Sequence, residues 1–124
     1  MAKILIVDDD AIMLKLYSEF LSKEGFEVST AEDAKKGFDL AVSQLPDLIL
    51  LDIMIPGDDG IQVHKRLSQD IRTKGIKMIF LTSLVKEEEV AASGGNIGGL
   101  NYISKSTSKE NFIQRVKEIL SGKK

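Results

Sequence analysis

LILLDIMIPGDDG, residues 48–60, is the stretch on which the fold turns. Four consecutive apolar residues, Leu48 to Leu51, are too few for a helix and show no alternation. They read as a strand buried on both faces, the signature of a parallel sheet, with Asp47 opening the segment. The run stops at the carboxyl group of Asp52. Pro56, Gly57 and Gly60 then supply a turn, and Val63, Leu67 and Ile71 recur on one face of a following helix.

The same strand-then-helix unit repeats on either side of this stretch. Lys3 to Val7 (KILIV) is a short apolar strand ending at Asp8, Asp9 and Asp10. Over residues 11–24, Ile12, Leu16 and Phe20, and again Met13, Tyr17 and Leu21, recur at helical spacing. Asp10 is placed to cap that helix and Gly25 to end it. Phe26 to Thr30 is a more alternating strand. A helix over 33–45 through Ala34, Phe38, Ala41 and Leu45 is stopped by Pro46. Downstream, Gly75 precedes a strand from Ile76 to Leu81 that ends at Thr82. Lys86 to Ala92 is a short acidic helix candidate that dissolves into the glycine-rich stretch 93–99. Leu100 to Ser104 is a last strand ending at Lys105. Thr107 and Glu110 fit a capping box for a final helix, whose buried stripe is Phe112, Ile113, Val116, Ile119 and Leu120.

Five successive βα units require a parallel sheet covered on both faces, with right-handed crossovers. The expected fold class is α/β, a flavodoxin-like doubly wound five-stranded parallel sheet in strand order 2-1-3-4-5. Residues 1–124 are expected to form one domain, since no linker or internal repeat interrupts them. Composition agrees: of the 124 residues, 43% are hydrophobic and 29% charged, and the net charge of −2 argues against direct nucleic-acid binding. Without cysteine there are no disulfides or thiolate metal sites. No apolar run approaches the ~20 residues that span a bilayer, and no secretory leader is visible, so the expected location is the cytoplasm.

Ligands of an open α/β sheet bind outside the carboxyl ends of the strands. The residues there are Asp8, Asp9, Asp10, Asp52, Thr82 and Lys105. Strand order 2-1-3-4-5 brings them to one shallow pocket. Crowded carboxylates either raise a pKa or draw in a cation, and a hard oxygen-only site with open positions suits magnesium. Asp52 is then placed to attack phosphorus as a carboxylate nucleophile, with Lys105 neutralising the phosphoryl charge and Thr82 donating a hydrogen bond to it.

These segments, ILIVDDD, LILLDIMIPGDDG, IFLTS and NYISK, resemble a response-regulator receiver domain over essentially the whole chain. The resemblance implies that Asp52 is the phosphoacceptor and that Asp9 is a direct magnesium ligand, with Asp8 acting through water. It implies that Met54 offers a backbone carbonyl to the metal. Thr82 and Tyr102 match the switch pair, and Lys105 matches the phosphate-pairing lysine. The implied partners are a sensor histidine kinase or histidine phosphotransfer protein and a downstream output protein. The implied role is that of a signalling switch whose only catalysis is of its own phosphorylation and dephosphorylation.

Two departures stand out. The family places a proline, joined by a cis peptide bond, after the lysine; Ser106 stands here, and a trans bond is expected because a cis one costs ~2.5–4 kcal/mol before any other residue. Gly94, Gly95, Gly98 and Gly99 predict a short fourth helix and a soft loop within the usual output face, the fourth helix, fifth strand and fifth helix. Phosphorylation would then act by ordering that face. His64, off the apolar line of its helix, is read as solvent-side or partly packed, and Glu87 to Glu89 as a solvated face. Among rival functions, a phosphorylation-independent interaction module would need no intact acidic pocket. A flavodoxin-like FMN carrier would meet three aspartates where it needs phosphate-binding amides. A metabolite phosphatase would need a cap for which 124 residues leave no room.

Overall fold

A computed structural model describes residues 2–55, 59–83, 96–97 and 100–122. The chain alternates β1 (Lys3–Val7), α1 (Ala11–Lys23), β2 (Glu27–Ala31), α2 (Ala34–Gln44), β3 (Leu48–Leu51), α3 (Gly60–Gln69) and β4 (Lys77–Thr82). It continues through β5 (Asn96–Ile97), β6 (Leu100–Ser104) and α4 (Lys109–Leu120). The sheet order is β2-β1-β3-β4-β6-β5. Its five longer strands are parallel and keep the expected order 2-1-3-4-5. The two-residue β5 adds an antiparallel edge against β6, out of the glycine-rich stretch where the sequence showed only a loop.

Helices cover both faces because the strands are apolar on both. Residues 48 to 51 are fully buried, Leu48 and Leu50 toward α1 and α4, Ile49 and Leu51 toward α2 and α3. Each such side chain contributes about 1.5–3 kcal/mol by leaving water. Asp10 caps α1, its Oδ1 accepting from the backbone amides of Ile12 at 3.0 Å and Met13 at 3.2 Å. The helix ends in a Schellman turn: Gly25, at φ +92°, donates to Ser22 O, and Phe26 N–H donates to Leu21 O.

Helix faces are where the sequence reading needs correction. On α1 the buried residues are Leu14, Tyr17 and Leu21, whereas Ile12 is 78% exposed and Leu16 partly so. Apolar spacing defined two adjacent stripes, and docking on the sheet selected a line that includes Leu14. Ile71 lies beyond the end of α3 and is 81% exposed, while Val63 and Leu67 are buried as expected. Leu45 caps α2 in the left-handed region at φ 48° and is half exposed, so it closes the helix rather than extending its buried face. The cap of α4 is Ser108, accepting from Asn111 N–H at 3.1 Å, one residue later than the Thr107 to Glu110 box. Its stripe holds, with Phe112, Val116 and Ile119 buried and Ile113 and Leu120 packed beside them. The acidic helix at 86–92, Glu87 to Glu89, and the glycines at 94, 95, 98 and 99 lie outside the described residues.

Gly25 and Gly75 make a matched pair for testing this architecture, since both have open space where a Cβ would stand but only Gly25 has a positive φ. Gly25→Ala is expected to lower unfolding free energy by about 1 kcal/mol, while Gly75→Ala leaves it unchanged or raises it by about 0.4–1 kcal/mol. Urea titration of the two variants checks the contrast.

Candidate phosphoacceptor site

Parallel pairing sets the strand ends level. Val7 lies opposite Leu51, so Asp8 and Asp52 leave the sheet side by side. Asp52 N–H donates to Val7 O at 2.9 Å, and Asp8 N–H to Ala31 O at 3.0 Å, so both carboxyl-bearing residues start from fixed backbone. Thr82 lies opposite Ser104, and Lys105 N–H donates to Thr82 O at 2.9 Å. From there the Lys105 side chain folds back over the sheet edge. Its Nζ lies 2.6 Å from Asp8 Oδ2 and 2.9 Å from Asp52 Oδ2.

Asp8, Asp9 and Asp52 each offer an oxygen, and these atoms lie within 4.8 Å of one another. Asp8 and Asp52 are buried and Asp9 is exposed, which leaves the cluster one open side. Asp8 Oδ1 accepts from Asp10 N–H at 3.0 Å. Asp8 Oδ2 is buried and touches the lysine as an ion pair, yet receives no donor at a good hydrogen-bond angle. Three carboxyl groups in one cluster with an open side fit a hard divalent cation. Asp52 Oδ1 accepts from Met54 N–H at 3.3 Å, which orients that carboxyl group; the Met54 side chain is largely exposed.

The electrostatics follow from burial. Desolvation raises the Asp8 pKa above 3.8, and the hydrogen-bonding and charge of Lys105 only partly offset it. Burial alone would lower the Lys105 pKa, but its bonds to Asp8 and Asp52 and their charges outweigh that and raise it. Lys105 is therefore a fixed cation, and one ammonium faces three carboxyl groups. Burial also pushes the nearby Tyr17 phenol up to about 12, so it stays neutral.

Thr82 is fully buried at the end of β4. Strand alternation puts it on the face of the sheet that carries Phe80 and Tyr102. Tyr102 is half-buried, its ring 5.3 Å from Phe80. His64 packs on Phe80 as well, at 5.2 Å, and burial lowers its pKa. It is the partly packed residue that the sequence suggested and stands outside the acidic cluster. The peptide bond after Lys105 is trans, since no cis bond occurs among the described residues. Sequence reasoning passed over Ser104 and noted Ser106 only as the residue standing in place of proline; the structure brings their hydroxyls within 2.7 Å of each other.

A glycine sets how closely α3 approaches Asp52. A Cβ on Gly60 would fall 2.0 Å from Asp52 O and 2.9 Å from Ile53 Cα, both backbone atoms that cannot swing aside. Gly60 N–H instead donates to Ile53 O at 2.6 Å, and Asp59 caps the helix through Gln62 N–H at 2.8 Å. The bare first residue of α3 thus presses on the peptide that carries Asp52.

A parallel five-stranded sheet with an acidic cluster and a lysine at its carboxyl edge defines a receiver-type site, and comparison with known proteins agrees. The family model of the response regulator receiver domain matches residues 4–117. The chain belongs to that family, whose members serve as switches in two-component signalling. It is 39% identical over 120 residues to the DNA-binding dual master transcriptional regulator RpaA of Synechocystis, covering 97% of this chain and 49% of that protein. It is 33% identical over 122 residues to protein PilH of Pseudomonas aeruginosa, covering 98% and 100%. The chain thus spans about half the length of several curated relatives and the whole of another. A solved CheY-like receiver domain protein from Methanospirillum hungatei superposes with a TM-score of 0.82 at 28% identity, covering 98% of this chain and 95% of that one. No helix among the described residues is long and apolar enough to cross a membrane.

Two measurements probe this geometry. Asp8, followed by carboxyl-carbon NMR without metal, is expected to titrate above 3.8 and to move further up in Lys105→Met. Because the folded-state pKa is the raised one, the stability this group contributes is complete below 3.8 and is lost as pH rises through the folded value. A downward movement in Lys105→Met would contradict the ion pair. Gly60→Ala is expected to lower unfolding free energy by about 1–3 kcal/mol, as overpacking does. Denaturation with an NMR probe at Asp52 checks both the loss and its location.

Proposed function

We propose that this chain is a phosphoacceptor switch, taking a phosphoryl group onto Asp52 from a phosphohistidine of a sensor histidine kinase or histidine phosphotransfer protein. The observation that carries the reading is Lys105 Nζ held between Asp8 and Asp52, with Asp9 completing a three-carboxyl cluster. Magnesium is the metal that suits such a set, held by Asp8, Asp9, Asp52 and the Met54 carbonyl; when bound it would offset charge on the phosphoryl oxygens.

Asp52 supplies the nucleophile. One of its oxygens forms the bond to phosphorus while the bond from phosphorus to the donor imidazole nitrogen breaks, and that imidazole leaves with the nitrogen's electron pair. The product is an acyl phosphate. The backbone bonds of Asp52 and the Met54 amide hold the oxygen on a defined line, and positioning of this kind is most of what phosphoryl transfer asks of a protein. Lys105 pairs with the transferred group, and the Thr82 hydroxyl turns toward it. Because Thr82 and Tyr102 share a face, movement of the hydroxyl opens room for the tyrosine ring to pack inward. The signal then passes to the surface formed by the last parallel strand and final helix, where an output protein binds. The chain acts in the cytoplasm and catalyses only its own phosphorylation and dephosphorylation.

Intact mass measured after incubation with magnesium and a small phosphodonor tests the reading. Wild type is expected to gain a single phosphoryl adduct that needs magnesium, and Asp52→Asn to gain none. A folded wild type that stays unlabelled would favour a phosphorylation-independent interaction module instead.

A further inference from the structure

We propose that Ser104 is a positioning residue for Lys105, acting through a hydroxyl clamp with Ser106 that fixes the backbone from which the lysine springs. The proposal deepens the phosphoacceptor reading but has a readout that does not depend on it.

Lys105 has a long way to reach. It leaves the sheet at the end of β6, and Asp8 follows β1, three strand positions away in the order β1-β3-β4-β6. At about 4.8 Å per strand that is ~14 Å, more than a lysine side chain spans from a chain continuing straight ahead. The backbone must therefore curl back over β4 and stay there. A lysine also carries about 2 kcal/mol of rotamer entropy, so a loose base would scatter the ammonium.

Upstream, the base is tied by Lys105 N–H to Thr82 O at 2.9 Å. Downstream, three contacts close the turn onto Ser104. Ser106 N–H donates to Ser104 Oγ at 3.2 Å, the two hydroxyl oxygens lie 2.7 Å apart, and Thr107 N–H donates to Ser104 O at 3.1 Å. Ser104 is 2% exposed, and a hydroxyl at that depth must be hydrogen-bonded. Ser106 keeps a backbone N–H inside a tight turn, and the Ser104 hydroxyl receives it. The two serine hydroxyls meet across the turn, while the Lys105 ammonium reaches Asp8 and Asp52. The triplet clamps its own backbone through the serines and leaves the ammonium to the two carboxyl groups.

The consequence is competitive. The lysine occupies Asp8 Oδ2 and Asp52 Oδ2, oxygens that a cation would also use. Loosening the clamp should therefore improve divalent-cation binding while spoiling phosphoryl transfer. General misfolding would instead damage both.

The test compares Ser104→Ala, Ser106→Ala, the double variant and Lys105→Met. Magnesium affinity is read by calorimetry, exchange of the Ser106 amide proton by NMR, and labelling rate from a small phosphodonor at saturating magnesium. Ser104→Ala is expected to speed Ser106 amide exchange, to bind magnesium about fivefold more tightly in the direction of Lys105→Met, and to label about tenfold more slowly. Ser106→Ala, with an exposed side chain that does not endanger folding, should show the same pattern in weaker form. The double variant should be no worse than Ser104→Ala. Wild-type magnesium affinity and amide exchange in both single variants would overturn the proposal. If wild type itself is never labelled, the phosphoacceptor reading fails, and magnesium affinity and amide exchange still decide the role of Ser104.

Discussion

The counter-charge that Lys105 supplies to Asp8 and Asp52 is the contact on which the carboxyl edge of this sheet depends. Two carboxyl groups are buried side by side because β1 and β3 are neighbours in register. Without a cation between them, each would be held in a poorly solvated place next to a group of the same sign. The ammonium at 2.6 Å and 2.9 Å relieves that, but only in part, since burial still raises the Asp8 pKa. The site is left electrostatically unsatisfied. Such a condition suits a further cation, and a fully neutralised cluster would not.

The rest of the architecture serves that edge. The apolar strands are level at their ends, so carboxyl, hydroxyl and ammonium groups emerge together. Gly60 lets α3 press on the Asp52 peptide with nothing between them, and Asp10 starts α1 by capping it just past Asp8 and Asp9. At the far end, Lys77 Nζ reaches the carbonyl of Ile119 at 2.9 Å, and Lys117 pairs with Glu24 at 2.6 Å, so α4 is fastened to both β4 and α1. The rings of Tyr17 and Phe112, 4.7 Å apart, fill the space between those helices.

The fold was legible because its signal is a repeating one. Short apolar runs each ending in a polar residue, with helical spacing between them, leave little choice of architecture, and strand order follows from connection rules. Asp52, Asp8, Asp9, Thr82 and Lys105 were legible for the same reason, as the residues just past strand ends. The helix faces were less so. Ile12 and Leu16 have the right spacing and the wrong side, because which of two stripes is buried depends on how the helix docks. Ile71 continues the apolar line of α3 past its last turn, where the line no longer faces the sheet. Ser104 carried no signal as a type, and Ser106 stood out only for replacing a proline, not for the hydroxyl that meets Ser104.

By itself the sequence determined the order of elements and the identity of the chemically distinctive residues, because hydrophobic period and strand-end position are local properties of the chain. The tertiary structure decided everything that depends on two distant segments meeting. It brought Lys105 across three strands to Asp8, packed the bare backbone of Gly60 against Asp52, stacked His64 and Tyr102 on Phe80, and tied Ser104 to Ser106 beneath the lysine. Hydrogen bonds and ion pairs act only within a few ångström, and such proximity is set by how the sheet is assembled and how closely the helices lie on it.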